Sequence, residues 1–154
     1  MAVACVYCGF HAHKEQAASV VLAALLKQLV GVEPMPGVIT QAFERAKKEV
    51  DCRTLRLSQI RVMLIKSLAL MRRGFFCIDA LDQFPVKYRP ELWESLQHVI
   101  RGCSNIRLFI TGRPHIRGEV DKYFPGYPNV TAIKPTERDI RSDPMTGSTG
   151  YCLM

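Results

Sequence analysis

The sequence predicts an α/β domain: a three-layer fold with a parallel β-sheet between helices. Two observations lead there. Short apolar runs rich in β-formers, "AVACVY", "FFCI" and "IRLFIT", recur along the chain, and the longer segments between them repeat apolar residues every three or four positions. Strands that alternate with helices pair in parallel through right-handed crossovers. With 154 residues, 48% of them hydrophobic, the chain suits one core that buries about two thirds of its unfolded surface.

The first run is a buried strand ahead of Gly9. From Lys14 to Val30 the pattern is helical and apolar nearly all round, through Val21, Leu22, Leu25, Leu26 and Leu29, with Gly31 as its stop; such a helix belongs inside the fold. Beyond the breaker "EPMPG", Val38, Ile39, Ala42, Phe43, Ala46 and Val50 mark another helix, and a further one is expected from Ser58 as N-cap, with Ile60, Met63, Leu64, Leu68 and Met71 as its stripe. "FFCI" follows Gly74 as the second strand. Pro90 opens a helix with Leu92, Trp93, Leu96, Val99 and Ile100 on one face, which makes Trp93 a core residue. "IRLFIT" is the third strand, "PHIRGEVDKYF" a short helix and "NVTAI" a fourth strand. Residues 1–141 form the domain; over 142–154, "SDPMTGSTGYCLM", periodicity is lost and a disordered, exposed tail is expected.

A charge of +7 suits a polyanionic partner, nucleotide phosphates included. The basic residues are dispersed, and no reader motif or aromatic-studded basic stripe marks a nucleic-acid partner. The longest apolar stretch, "AASVVLAALL", is half of what a bilayer needs, so no membrane partner is expected. Six cysteines with no secretory leader suit reduced thiols and a cytoplasmic location. Cys5, Cys8, His11 and His13 are spaced like zinc ligands, but Cys5 and Cys8 point to opposite faces of a strand and the loop between ligand pairs is missing.

In a parallel sheet, ligands gather at the carboxyl ends of the strands. Asp79 ends an apolar strand there, where a carboxylate must be solvated, paired or bound to a cation, and oxygen coordination with retained waters fits Mg²⁺. Asp82 lies three residues on, within reach of the same ion or its water. Thr111, Gly112 and Arg113 follow the next strand, and a guanidinium there suits a terminal phosphate. Turn formation accounts equally for the two Asp, and a surface position ahead of Pro114 for the Arg.

The order of these segments is more specific than any one of them. "FFCIDALDQF" and "RLFITGRPHIRGEV" resemble the Walker B and sensor 1 segments of NACHT-type, STAND-class P-loop NTPases, in the nephrocystin 3-like branch common in fungal ankyrin- and WD-repeat proteins; "VACVYCGFHAHKEQAASVVLAALLKQLV" extends the likeness, which covers about residues 2–141. By that resemblance Asp79 holds Mg²⁺ through water, Asp82 and Gln83 polarise the attacking water, Thr111 and Arg113 contact the nucleotide, and the substrate is ATP or GTP. The whole would be a nucleotide-gated signalling and oligomerisation switch. The alternative is a non-catalytic interaction module built on the same sheet.

Two departures from the family pattern bear on hydrolysis. Position 83 is Gln where relatives carry Glu, and an amide orients water without taking its proton. No G-x-x-x-x-G-K-[ST] loop occurs in the sequence, so the amides and Lys that cradle phosphates are missing. The family places that loop before "AVACVY", which implies a truncated or mis-spliced product with little or no hydrolysis of its own. It also implies an unpaired apolar edge beside the strand ending in Thr111, open to self-association or to a complete homologue.

Overall fold

The computed structural model describes residues 1–9, 17–31, 41, 55–126, 131–133 and 149–153. Three parallel strands form its centre: β1 (Ala2–Tyr7), β2 (Gly74–Asp79) and β3 (Ile106–Gly112). Partners run from Ala2↔Gly74 to Tyr7↔Asp79 between β1 and β2, and from Gly74↔Ile106 to Ile78↔Ile110 between β2 and β3. The parallel α/β class read from the sequence is therefore the one observed.

Four described helices accompany the sheet: α1 (Ala18–Val30), α2 (Leu57–Ala69), α3 (Arg89–Gly102) and α4 (Arg117–Tyr123). Alternation along the strands explains where they sit. Ala2, Ala4, Phe76, Ile78, Leu108 and Ile110 are buried and join the helices' apolar stripes in one core with Leu22, Leu25, Leu64, Trp93 and Leu96. Val3, Cys5, Phe75, Cys77 and Phe109 alternate with them and are exposed or half-buried, on the opposite face. Trp93 is a core residue, stacked on Tyr123 and edge-on to Phe124.

Helix starts differ from the sequence reading in instructive ways. Ser58 is not the N-cap of α2. That place falls to Arg56, whose backbone N–H is satisfied by the Gln59 side chain at 3.0 Å, half of a capping box that works without a Ser or Thr. α1 begins at Ala18 rather than Lys14, after the extended backbone of Ala17. The helix read over Val38–Val50 lies outside the described residues.

The far side of β3 brings the main correction. Its edge is not unpaired: β5 (Thr149–Leu153) runs antiparallel along it, from Leu108↔Leu153 to Gly112↔Thr149. β4 (Thr131–Ile133), read as one more parallel strand, pairs antiparallel with β5, giving the order β1-β2-β3-β5-β4. Part of the stretch expected as a tail is thus sheet. A free row of N–H and C=O groups on an apolar strand is a strong template, and "TGYCL" can answer it even though it is too short to show a period.

At the opposite edge, β1 meets a side chain. Gln28 of α1 accepts the Cys5 N–H on its Oε1 at 2.9 Å and gives its Nε2 to the Cys5 carbonyl at 2.7 Å.

Candidate functional site

The site lies at the carboxyl ends of β2 and β3. Asp79, the last residue of β2, is exposed. Its Oδ1 accepts the Thr111 hydroxyl, and Thr111 Oγ1 in turn accepts the Ala80 N–H at 2.9 Å. One hydroxyl thus ties the end of β2 to β3. Ala80 leaves the strand with φ 53 and ψ 44, a left-handed conformation that costs a non-glycine residue about 1–2 kcal/mol and reverses the chain into the 3₁₀ turn Leu81–Gln83.

That turn carries the second carboxylate inward. The Asp82 side chain is only 5% exposed, and its Oδ2 accepts Gln83 Nε2 at 2.9 Å and stands 3.5 Å from Arg113 Nε. Arg113 follows β3 directly and its side chain is 64% exposed, so the ion pair is a loose one that contributes about 0–1 kcal/mol. The five residues singled out by sequence are therefore neighbours in two sets. Asp79 is linked to Thr111, and Asp82 to Gln83 and Arg113.

Gly112 makes the approach of the two loops possible. A Cβ there would lie 2.5 Å from Ile116 Cδ1 and 3.4 Å from the Asp82 backbone nitrogen. Beneath the carboxylates, the buried Cys8 thiol is pushed up to about 12, first by burial and then by the charges of Asp79 and Asp82, with Arg89 opposing. Its backbone N–H donates to the Asp79 carbonyl at 2.9 Å, which stitches the exit of β1 to the end of β2.

Sequence reasoning missed the residue that holds the turn. Arg89 is 3% exposed. Its Nη2 donates to the carbonyls of Asp82 at 3.1 Å and Phe84 at 2.9 Å, and its Nη1 to Glu119 Oε1 at 2.7 Å. Glu119 Oε2 accepts the Trp93 indole N–H at 2.6 Å. A signal was available. Arg89 is the first residue of α3, where the helix dipole disfavours a cation, so an Arg there must be used elsewhere.

A family model described as nephrocystin 3, N-terminal, matches residues 1–113. The chain belongs to that family. No curated protein and no solved structure matches it. Within this nephrocystin 3 N-terminal chain the matched span holds β1 to β3 and all five candidate residues, whereas Glu119 lies past it. A shallow cavity of about 310 Å³, lined by Met1, Arg72 and Arg73, sits at the amino ends of the strands, away from this chemistry. His11 and His13 lie outside the described residues; Cys5, on β1, is exposed, and Cys8, just past the end of β1, is buried. No described helix is long and apolar enough to cross a membrane.

Proposed function

We propose that this nephrocystin 3 N-terminal chain is a nucleotide-responsive switch domain of the NACHT and STAND kind, which engages a Mg²⁺-bound ATP or GTP at the carboxyl ends of β2 and β3 and hydrolyses it little or not at all. One observation carries the reading: an exposed Asp79 on β2 and a mostly exposed Arg113 after the adjacent, parallel β3 stand at the same end of the sheet.

The donor set fits the ion. Asp79 gives one oxygen to Thr111 and keeps the other open among the described residues, which suits a hard cation that retains several waters. Mg²⁺, when bound, would neutralise phosphate charge. Arg113, held among the described residues by a 3.5 Å contact to Asp82, can exchange that carboxylate for a phosphate oxygen. Asp82 would then be left with Gln83, whose amide orients a water but cannot deprotonate it. Without the Gly-Lys-Ser/Thr cradle in the sequence, the contact is weak and salt-sensitive. Free thiols at Cys5, Cys8, Cys77 and Cys103 support a cytoplasmic setting.

Backbone amide NMR with added Mg²⁺ and ATP or GTP tests the reading. Shifts confined to Ala80, Asp82 and Gly112–Arg113, saturating near 1 mM or above, about −4 kcal/mol or weaker, and abolished by Asp79→Ala, are expected. Shifts that persist in Asp79→Ala, or turnover above about 1 s⁻¹ that depends on Asp79, would overturn it. Gel filtration with and without nucleotide separates a switch from a plain interaction module, since only the switch associates in response to nucleotide.

A further inference from the structure

β1 and β2 carry one cysteine each on the same rung. Cys5 and Cys77 are direct register partners, and both project from the face opposite the helices, because their neighbours Ala4, Phe76 and Ile78 are buried in the core. Adjacent strands stand about 4.7–4.9 Å apart, inside the Cα separation of about 4.4–6.8 Å that a disulfide spans. Cys5 is exposed and Cys77 partly so. Cys5 lies near enough to Cys77 to act on its thiol. The Cys5 backbone is fixed on both sides, by the ladder to β2 and by the Gln28 amide, so the thiols are juxtaposed without any rearrangement of the chain.

We propose that Cys5 and Cys77 form a dithiol modification site, which a low-molecular-weight disulfide such as oxidised glutathione converts into a cross-strand bond between β1 and β2. Cys5 reacts first, since it is the exposed thiol. It loses its proton to water, and its thiolate attacks one sulfur of the glutathione disulfide, expelling one glutathione thiolate and leaving a mixed disulfide on Cys5. Cys77 then gives up its proton, attacks Cys5 Sγ and expels the second glutathione thiolate. Two protein thiols are oxidised and one small disulfide is reduced to two thiols.

The other described cysteines are not competitors. Cys8 and Cys103 are buried. Cys152 stands opposite Phe109 of β3, which is itself opposite Cys77, so a whole strand separates it from the pair. The bond would fasten the edge strand to the strand whose end carries Asp79. This inference does not depend on the nucleotide reading.

The test incubates the folded chain of residues 1–154 with oxidised glutathione, blocks free thiols with N-ethylmaleimide and maps the peptides by mass. A Cys5–Cys77 linked peptide, lighter by two hydrogens than the sum of its parts and released by dithiothreitol, is expected as the main cross-link, with Cys8 and Cys103 unlabelled. Cys77→Ser should stop at a glutathione adduct on Cys5, and Cys5→Ser should leave Cys77 free of any link. The proposal is overturned by a glutathione adduct that persists on Cys5 in the unsubstituted chain, by no reaction at Cys5, by a main link to Cys52 or Cys152, or by a link found only in molecules whose Cys8 and Cys103 have also been labelled.

Discussion

Arg89→Met tests whether one buried guanidinium holds the turn that carries Asp82 and Gln83. Met occupies similar volume and donates nothing, so the carbonyls of Asp82 and Phe84 and one oxygen of Glu119 each lose a donor. Hydrogen bonds to a charged group contribute about 1.5–3 kcal/mol apiece, but these share one donor group and do not add. Removing one member of a buried ion pair costs about 3–5 kcal/mol. Two features reduce that figure. Arg89 Nε has no partner among the described residues, so its removal relieves an unsatisfied donor, and the Glu119 side chain is 33% exposed, so water can take over part of its solvation. The expected net loss is about 2–4 kcal/mol, a large share of the roughly 5–15 kcal/mol that holds a domain folded. Urea unfolding followed by fluorescence reads it directly, because Trp93 is the one Trp of the chain and bonds to the same Glu119. A loss below about 1 kcal/mol would refute the reasoning. A double-mutant cycle with Glu119→Gln should give a coupling of about 0.5–3 kcal/mol; a coupling of zero would mean that Arg89 acts through the Asp82 and Phe84 carbonyls and packing, without Glu119.

Gly112→Ala should destabilise by about 1–3 kcal/mol, since the new methyl would lie 2.5 Å from Ile116 Cδ1. Pairing it with Ile116→Val, which removes that atom, should recover part of the loss in a thermal melt. The Cys8 thiol, raised from 9.0 to about 12 in the folded chain, keeps its proton while the unfolded chain gives it up. Its contribution is therefore complete below pH 9.0 and declines by up to about 1.4 kcal/mol per pH unit between pH 9.0 and about 12. Cys8→Ala should flatten that part of the stability profile measured by urea unfolding.

What the sequence reveals here follows the length over which a physical signal accumulates. β1, β2 and β3 were legible because an apolar run of about six residues bounded by Gly or Asp has few alternatives. α3 was legible because Pro90 stands in its first turn and Trp93, Leu96 and Ile100 keep its period. β4 was legible as a strand in "NVTAI" but not its antiparallel pairing; β5 is too short for a period of its own, and the edge of β3 makes a strand of it. The site shows the same contrast. Asp79, Thr111 and Arg113 could be placed because they end strands. The pairing of Arg113 with Asp82 instead of Asp79 could not, since it depends on the left-handed backbone at Ala80 that turns Asp82 inward. Arg89 and Glu119, 30 residues apart, meet only when α3 and α4 pack.

The amide of Gln28 occupies the middle of the outer edge of β1 as a single residue of a sixth strand would. Growth of the sheet on that flank therefore begins with an eviction: an incoming chain must break two hydrogen bonds before it makes any. The three parallel strands are guarded on one flank by a side chain and on the other by β5, so each flank can be unlocked separately, by Gln28→Ala on one and by deleting residues 149–153 on the other.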